Sequence, residues 1–189
     1  MSVNLIESVQ KNLGLPPLHK IDPNTNEIAY PENTPRADRL SQAAIPAVLT
    51  AFYKITRTPG GSDLVLRGNF STSWINTLFG EDAPRAVGAI SEYAGTDYDQ
   101  ARDLLESVAV ESARLISANT KDAAAATTML TDQRSNILSY LPAALQIGDL
   151  LNDSTLDDRT NKMKGPISNM MHSIEQKFSE SDQSTPSQT

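Results

Sequence analysis

Asp149, Asp153, Asp157 and Asp158 are the side chains most suggestive of chemistry, because clustered carboxylates can hold a hard divalent cation. Set against a calcium loop beginning at Asp153, Thr155 and Asp157 fall on ligand positions. However, Asp158 stands where the turn glycine belongs and Lys164 where the bidentate glutamate belongs. The stretch therefore reads as a polar connection between helices, with Ser154 capping toward Asp157. His172 and Glu175 are three residues apart, near a helical ligand spacing. They supply two ligands where stable sites use three or four, and they sit on the flank of an apolar stripe, so a solvated histidine is expected.

Thr58-Pro59-Gly60-Gly61-Ser62 is glycine-rich, but it lacks the Gly-Lys-Ser/Thr of a phosphate loop and has no strand before it. A turn is expected. No G-x-S-x-G elbow occurs, and any serine triad would depend on His19 or His172, which are far apart in sequence. The pairs Asp97/Asp99 and Asp157/Asp158 could serve acid–base chemistry, but negative charge at helix starts explains both. These readings give no catalytic residue, no metal site and no cofactor.

The elements that would carry such groups read as helices. Ser2 is placed to cap a first helix with Val3, Leu5, Ile6, Val9 and Leu13 inward, stopped by Gly14. Residues 15–36 hold five of the eleven prolines and are expected to form a long irregular strap, packed down by Ile21, Ile28 and Tyr30. Leu40, Ala43, Ala44, Ala47, Val48, Ala51, Phe52 and Ile55 then form one continuous helical stripe. Ser71 or Thr72 should cap a short helix carrying Trp74, Ile75, Leu78 and Phe79. A helix starting near Pro84 carries Val87, Ile90 and Ala94 to Gly95. Thr96 or Asp97 opens a longer helix with Leu105, Val108, Ala109 and Ile116 buried, and Asp122–Leu130 is a further helical run. Thr131 or Asp132 is expected to open another, with Ile137, Tyr140, Leu141, Ala144 and Leu145 inward.

Two phrases, Ile45–Leu49 (IPAVL) and Leu141–Leu145 (LPAAL), place a proline within helical spacing. A proline there lacks an amide proton and crowds the carbonyl four residues back, so each is expected to mark a kinked helix or a junction of two helices. A last helix carries Ile167, Met170, Met171, Ile174 and Phe178 before the polar tail 179–189, which is expected to be disordered. With Met163, the side chains Met170, Met171, Ile174 and Phe178 form the candidate interaction surface, since methionine suits adaptable contacts. No sustained alternation occurs. The expected fold is all-α, a single domain over residues 1–178 with about eight helices.

Composition sets further bounds. The chain has 189 residues, no cysteine and a net charge of −7, distributed as +1 over 1–62, −5 over 63–130 and −3 over 131–189. No segment offers the basic surface that nucleic-acid binding needs, and attraction to anionic membranes is disfavoured. Without a long apolar run no membrane insertion is expected, and the start does not read as a secretory signal. The absence of cysteine fits a cytoplasmic location.

In order along the chain stand the Asn26-Glu27 turn, Ile45–Leu49, Thr58-Pro59-Gly60-Gly61, Leu78-Phe79-Gly80, Ile90-Ser91 running on to Gly95, Leu104-Leu105-Glu106 and Leu141–Leu145. This order of landmarks resembles the YidB-like family of bacterial helical proteins. The resemblance covers residues 1–151 and departs at Val108-Ala109-Val110, where a proline would follow the alanine. It implies an all-helical fold of degenerate helix-pair repeats with no assigned catalysis. Some members of that family look joined to envelope-associated modules, which implies an envelope role as an alternative. In this sequence, Leu104–Val108 and Ile137–Leu141 offer similar frames for such a repeat.

The functional expectation is a non-enzymatic interaction or scaffold domain that self-associates or binds another protein. The alternative is a module for small apolar ligands, with a pocket between helices near Ile45, Leu141 and Trp74.

Overall fold

Short polar side chains start most of the longer helices. In the computed structural model, which describes residues 3–22, 24–25, 27–68, 73–153 and 155–156, Asn4 caps α1 (Leu5–Asn12) by accepting from Glu7 N–H at 3.4 Å. Asp97 caps α6 (Tyr98–Asn119) through Gln100 N–H at 2.9 Å, and Asp122 caps α7 (Ala123–Leu138) through Ala125 N–H at 2.8 Å. Between α1 and α6 lie α2 (Arg36–Ile55), α3 (Gly61–Arg67), α4 (Trp74–Phe79) and α5 (Ala83–Ala94); α8 is the single turn Ile147–Leu150. Short 3-10 turns occupy Gly80–Asp82 and Ala143–Leu145. The described residues contain seven helices of six residues or more and no strand.

The centre of the fold is α2. Every residue from Leu40 to Tyr53 is buried, because α1, α4, α5, α6 and α7 all pack against it. The stripe read from the sequence is thus one face of a helix enclosed on all sides. Its polar residues are satisfied locally: Ser41 Oγ donates to Ala37 O at 2.9 Å and Thr50 Oγ1 to Pro46 O at 2.7 Å. Leu5, Ile6 and Val9 of α1, Val87 and Ile90 of α5, Leu105 and Ile116 of α6, and Leu130 and Ile137 of α7 complete the core. Phe52 and Trp74 meet with ring centroids 5.3 Å apart.

Several expectations change. The described cap of α1 is Asn4, whereas Ser2 lies outside the described residues; α4 is capped by Ser73, not Ser71 or Thr72. The turn expected over 58–62 stops at Gly60; Gly61 and Ser62 instead open the helix α3, which runs to Arg67. The two segments expected over 122–130 and 131–145 are one helix, α7, capped once by Asp122. That helix ends at Leu138. Tyr140 and Leu141 tighten to bonds with Ile137 O and Leu138 O, and Pro142 takes an extended ψ of 127°. Pro142 therefore lies beyond the helix, whereas Pro46 lies inside α2. The helix expected over 167–178, with Met163, Met170, Met171, Ile174 and Phe178, lies outside the described residues, as does the tail 179–189.

Candidate functional site

The strap between α1 and α2 is held by groups that mimic backbone pairing. Gln42, on α2 and 1 % exposed, accepts from His19 N–H at 2.7 Å and donates back to His19 O at 3.0 Å. Its Nε2 also donates to Tyr140 O at 2.7 Å, so one carboxamide joins the strap, α2 and the segment after α7. Ile21 N–H donates to Ser139 O at 2.9 Å, and the Ile21 side chain is buried. Lys20 Nζ stands 5.7 Å from the Tyr140 ring centroid.

Farther along, the strap turns outward and then returns to the body at Tyr30. Asn24 N–H donates to Asp22 Oδ1 at 2.8 Å, and Asp22 N–H to Glu27 O at 2.9 Å. The Tyr30 hydroxyl meets the Tyr93 hydroxyl of α5 at 2.8 Å. Between this part of the strap, Tyr93 and the turn after Pro142 lies a half-open cleft of about 400 Å³. Thr25, Glu27, Ile28 and Tyr30 form one wall, Tyr93 another, and Pro142, Ala143 and Ala144 the third.

The electrostatics of the cleft are mixed. Burial pushes the Tyr30 phenol well above the ordinary tyrosine range, helped by its hydrogen bond to Tyr93, while the Arg39 charge opposes the shift. Burial raises Tyr93 as well, against its bond to Tyr30 and against Arg39. Both phenols therefore stay neutral at physiological pH. One hydroxyl proton is used between them in either direction, leaving one O–H for an incoming acceptor. Arg39 Nε is buried with no hydrogen-bond partner. Glu27 contributes one negative charge to the lining, and Arg39 acts on both tyrosines with one positive charge. Opposite charges and a small apolar wall suit a largely neutral, apolar guest with one acceptor atom.

The cleft is not where the sequence placed it. Ile45, Trp74 and Leu141 are 0 %, 4 % and 6 % exposed, and they serve the core. The cleft begins one residue beyond Leu141. Tyr30 was legible as a packing residue of the strap, but its partner stands 63 positions away and no sequence spacing joins the two.

Carboxylates elsewhere take structural roles. Glu106 of α6 accepts from Trp74 N–H at 2.6 Å, Ile75 N–H at 3.2 Å and Ser73 Oγ at 3.0 Å, holding the start of α4. Asp149 pairs with Arg85 at 2.6 Å, and Asp153 Oδ1 accepts from Thr155 N and Oγ1. Among the described residues no group of three or more His, Cys, Asp or Glu could hold a metal ion. Asp157, Asp158, His172 and Glu175 lie outside them. No helix of the described residues is long and apolar enough to cross a membrane.

The chain matches no family model, no curated protein and no solved structure.

Proposed function

We propose that this chain is a non-enzymatic binding module, and that its recognition site is the cleft between the strap and Pro142–Ala144. The observation that carries this reading is the cleft itself: about 400 Å³ walled by two neutral, mutually bonded tyrosines and a small apolar turn. That volume lies within the range that encloses a small organic ligand. The ligand class is a neutral, mostly apolar molecule with one hydrogen-bond acceptor for the free phenol proton. Replacing Ala144, which is exposed and lines the cleft, by phenylalanine fills the space without touching the core. A fragment that binds the natural chain and not the Ala144→Phe variant, at unchanged melting temperature, supports the reading. A fragment that binds both equally contradicts it.

A second reading concerns association. The spacing of Met163, Met170, Met171, Ile174 and Phe178 favours a helix offered to a second copy or to another protein. Light scattering on the full chain and on a version ending at Gly165 tests it: an oligomer that becomes a monomer supports association, and two monomers contradict it. Kinship with the YidB-like family, helix-pair repetition between Leu104–Val108 and Ile137–Leu141, a bend at Pro46 and a cytoplasmic location belong to the same proposal. Their support is the order of sequence landmarks and the cysteine-free composition.

A further inference from the structure

Outside the residues that line the cleft, two arginines of α2 border one opening. Arg36 and Arg39 stand three positions apart in the first turn of that helix. A side-chain carbon at Gly95, the left-handed C-cap of α5, would lie 3.9 Å from Arg36 Nε and 3.9 Å from Arg39 Nη2. Both guanidinium groups therefore face the same space in front of Gly95, and these two nitrogens are no farther apart than twice that distance. Among the described residues no other atom beyond the glycine's chain neighbours comes within 4 Å of that point. Arg36 is exposed, whereas Arg39 is half-buried and its Nε is buried without a hydrogen-bond partner.

This placement is electrostatically costly. Two cations at i and i+3 repel, and both sit at the positive end of the α2 dipole. Asp38 shares their turn and Glu92 lies in the last turn of α5. Neither pairs with them: the ion pairs among the described residues join Arg85 to Asp82 and Asp149, and Arg114 to Glu111. Tyr30 and Tyr93, on which the Arg39 charge acts, are neutral and supply no counter-charge. The negative end of α5 offsets part of the cost, but two carbonyls there are already bonded, Glu92 O by Gly95 N–H and Ser91 O by Thr96 N–H. A doubly charged oxyanion matches two guanidinium groups. With one charge-assisted bond of about 2.8 Å on each side, plus the spacing of its own oxygens, a phosphate covers the gap between them.

We infer that Arg36 and Arg39, held in front of Gly95, form a binding site for a phosphoryl group that bridges the two guanidinium forks. The site does not depend on the cleft reading. It is tested on the full chain by following the Nε–H signals of both arginines and the Gly95 amide by NMR. Inorganic phosphate and phenyl phosphate are titrated against chloride at constant ionic strength, with acetate in parallel. The site requires saturable shifts of all three signals with one dissociation constant, tighter for phosphate or phenyl phosphate than for acetate. Tighter binding of phenyl phosphate means that the group belongs to a larger ligand, and tighter binding of inorganic phosphate means the free ion. Arg36→Lys and Arg39→Lys keep the charge but lose the fork, and each should weaken binding by about tenfold. Arg36 is exposed, so its lysine variant leaves the core intact. Arg114→Lys, at a guanidinium already committed to Glu111, should leave binding unchanged. Non-saturating shifts, acetate binding as tightly as phosphate, or full affinity retained by either lysine variant at 36 or 39 would mean an adventitious ion only and overturn the assignment.

Discussion

Gln42 and His19 are paired as two strand residues would be, with the His19 N–H donating to Gln42 Oε1 and Gln42 Nε2 donating to the His19 carbonyl. A side chain from a buried helix thereby replaces the backbone partner that an irregular strap lacks. The third bond, to Tyr140 O, locks the strap to the segment that leads into the cleft. Gln42→Ala removes all three bonds and leaves the Tyr140 and His19 carbonyls short of a donor. A loss on the order of 3 kcal/mol is expected in denaturant unfolding. Amide exchange at His19 and Ile21 should accelerate more than exchange within α6.

The turn before α3 makes different demands on its two glycines. Gly60 has a φ of 75°, but a Cβ there meets open space. A Cβ on Gly61 would run into the Ile55 carbonyl oxygen and lie 2.7 Å from Thr58 Oγ1. Gly60→Ala should cost about 1–2 kcal/mol, the strain of a left-handed alanine. Gly61→Ala has to move backbone, so its loss should be clearly larger, and chemical denaturation of the pair gives the order.

Two substitutions at buried positions of α6 should differ in effect. Leu105 is fully buried in the core, and Leu105→Ala should cost about 2–5 kcal/mol through the cavity it leaves. Ser112 is equally buried, but its hydroxyl has no hydrogen-bond partner. Ser112→Ala removes a desolvated polar group and should be neutral or stabilising by about 1 kcal/mol. A large loss for Ser112→Ala in thermal unfolding would reveal a partner for that hydroxyl.

The tyrosine pair predicts alkaline behaviour. Both phenols are raised in the folded chain, chiefly by burial, so above the ordinary tyrosine pKa the unfolded chain releases protons that the folded chain keeps. The stabilisation is fully present below about pH 10 and is lost as pH rises toward the folded values. Stability should fall more steeply above pH 10 in the natural chain than in a Tyr30→Phe/Tyr93→Phe double variant. Ultraviolet titration should show Tyr30 and Tyr93 ionising above the ordinary tyrosine range.

Much of the helical frame was legible because apolar spacing and caps are local signals. Leu40–Ile55 read correctly as a helix, and Asp97 was recognised among the cap candidates of α6. What failed depended on neighbours. The enclosure of α2, including Ser41 and Gln42, follows from five helices packing around it, which no pattern within α2 records. Thr131 and Asp132 are good caps in isolation, yet Asp122 had already started a helix that runs through them. Helix α3 is seven residues long and begins at the second glycine of a pair, so turn chemistry masked it. The cleft depends on contacts between Tyr30, Tyr93 and Pro142–Ala144, and periodicity carries no information about such distant pairs.

The most direct test of the binding-module account is an amide-resolved NMR titration of the full chain with a library of small neutral fragments. The account predicts saturable shifts focused on Tyr30, Tyr93, Ala143 and Ala144, and their loss in Ala144→Phe. Fragments that bind only elsewhere, or a cleft whose signals stay still throughout, would contradict it.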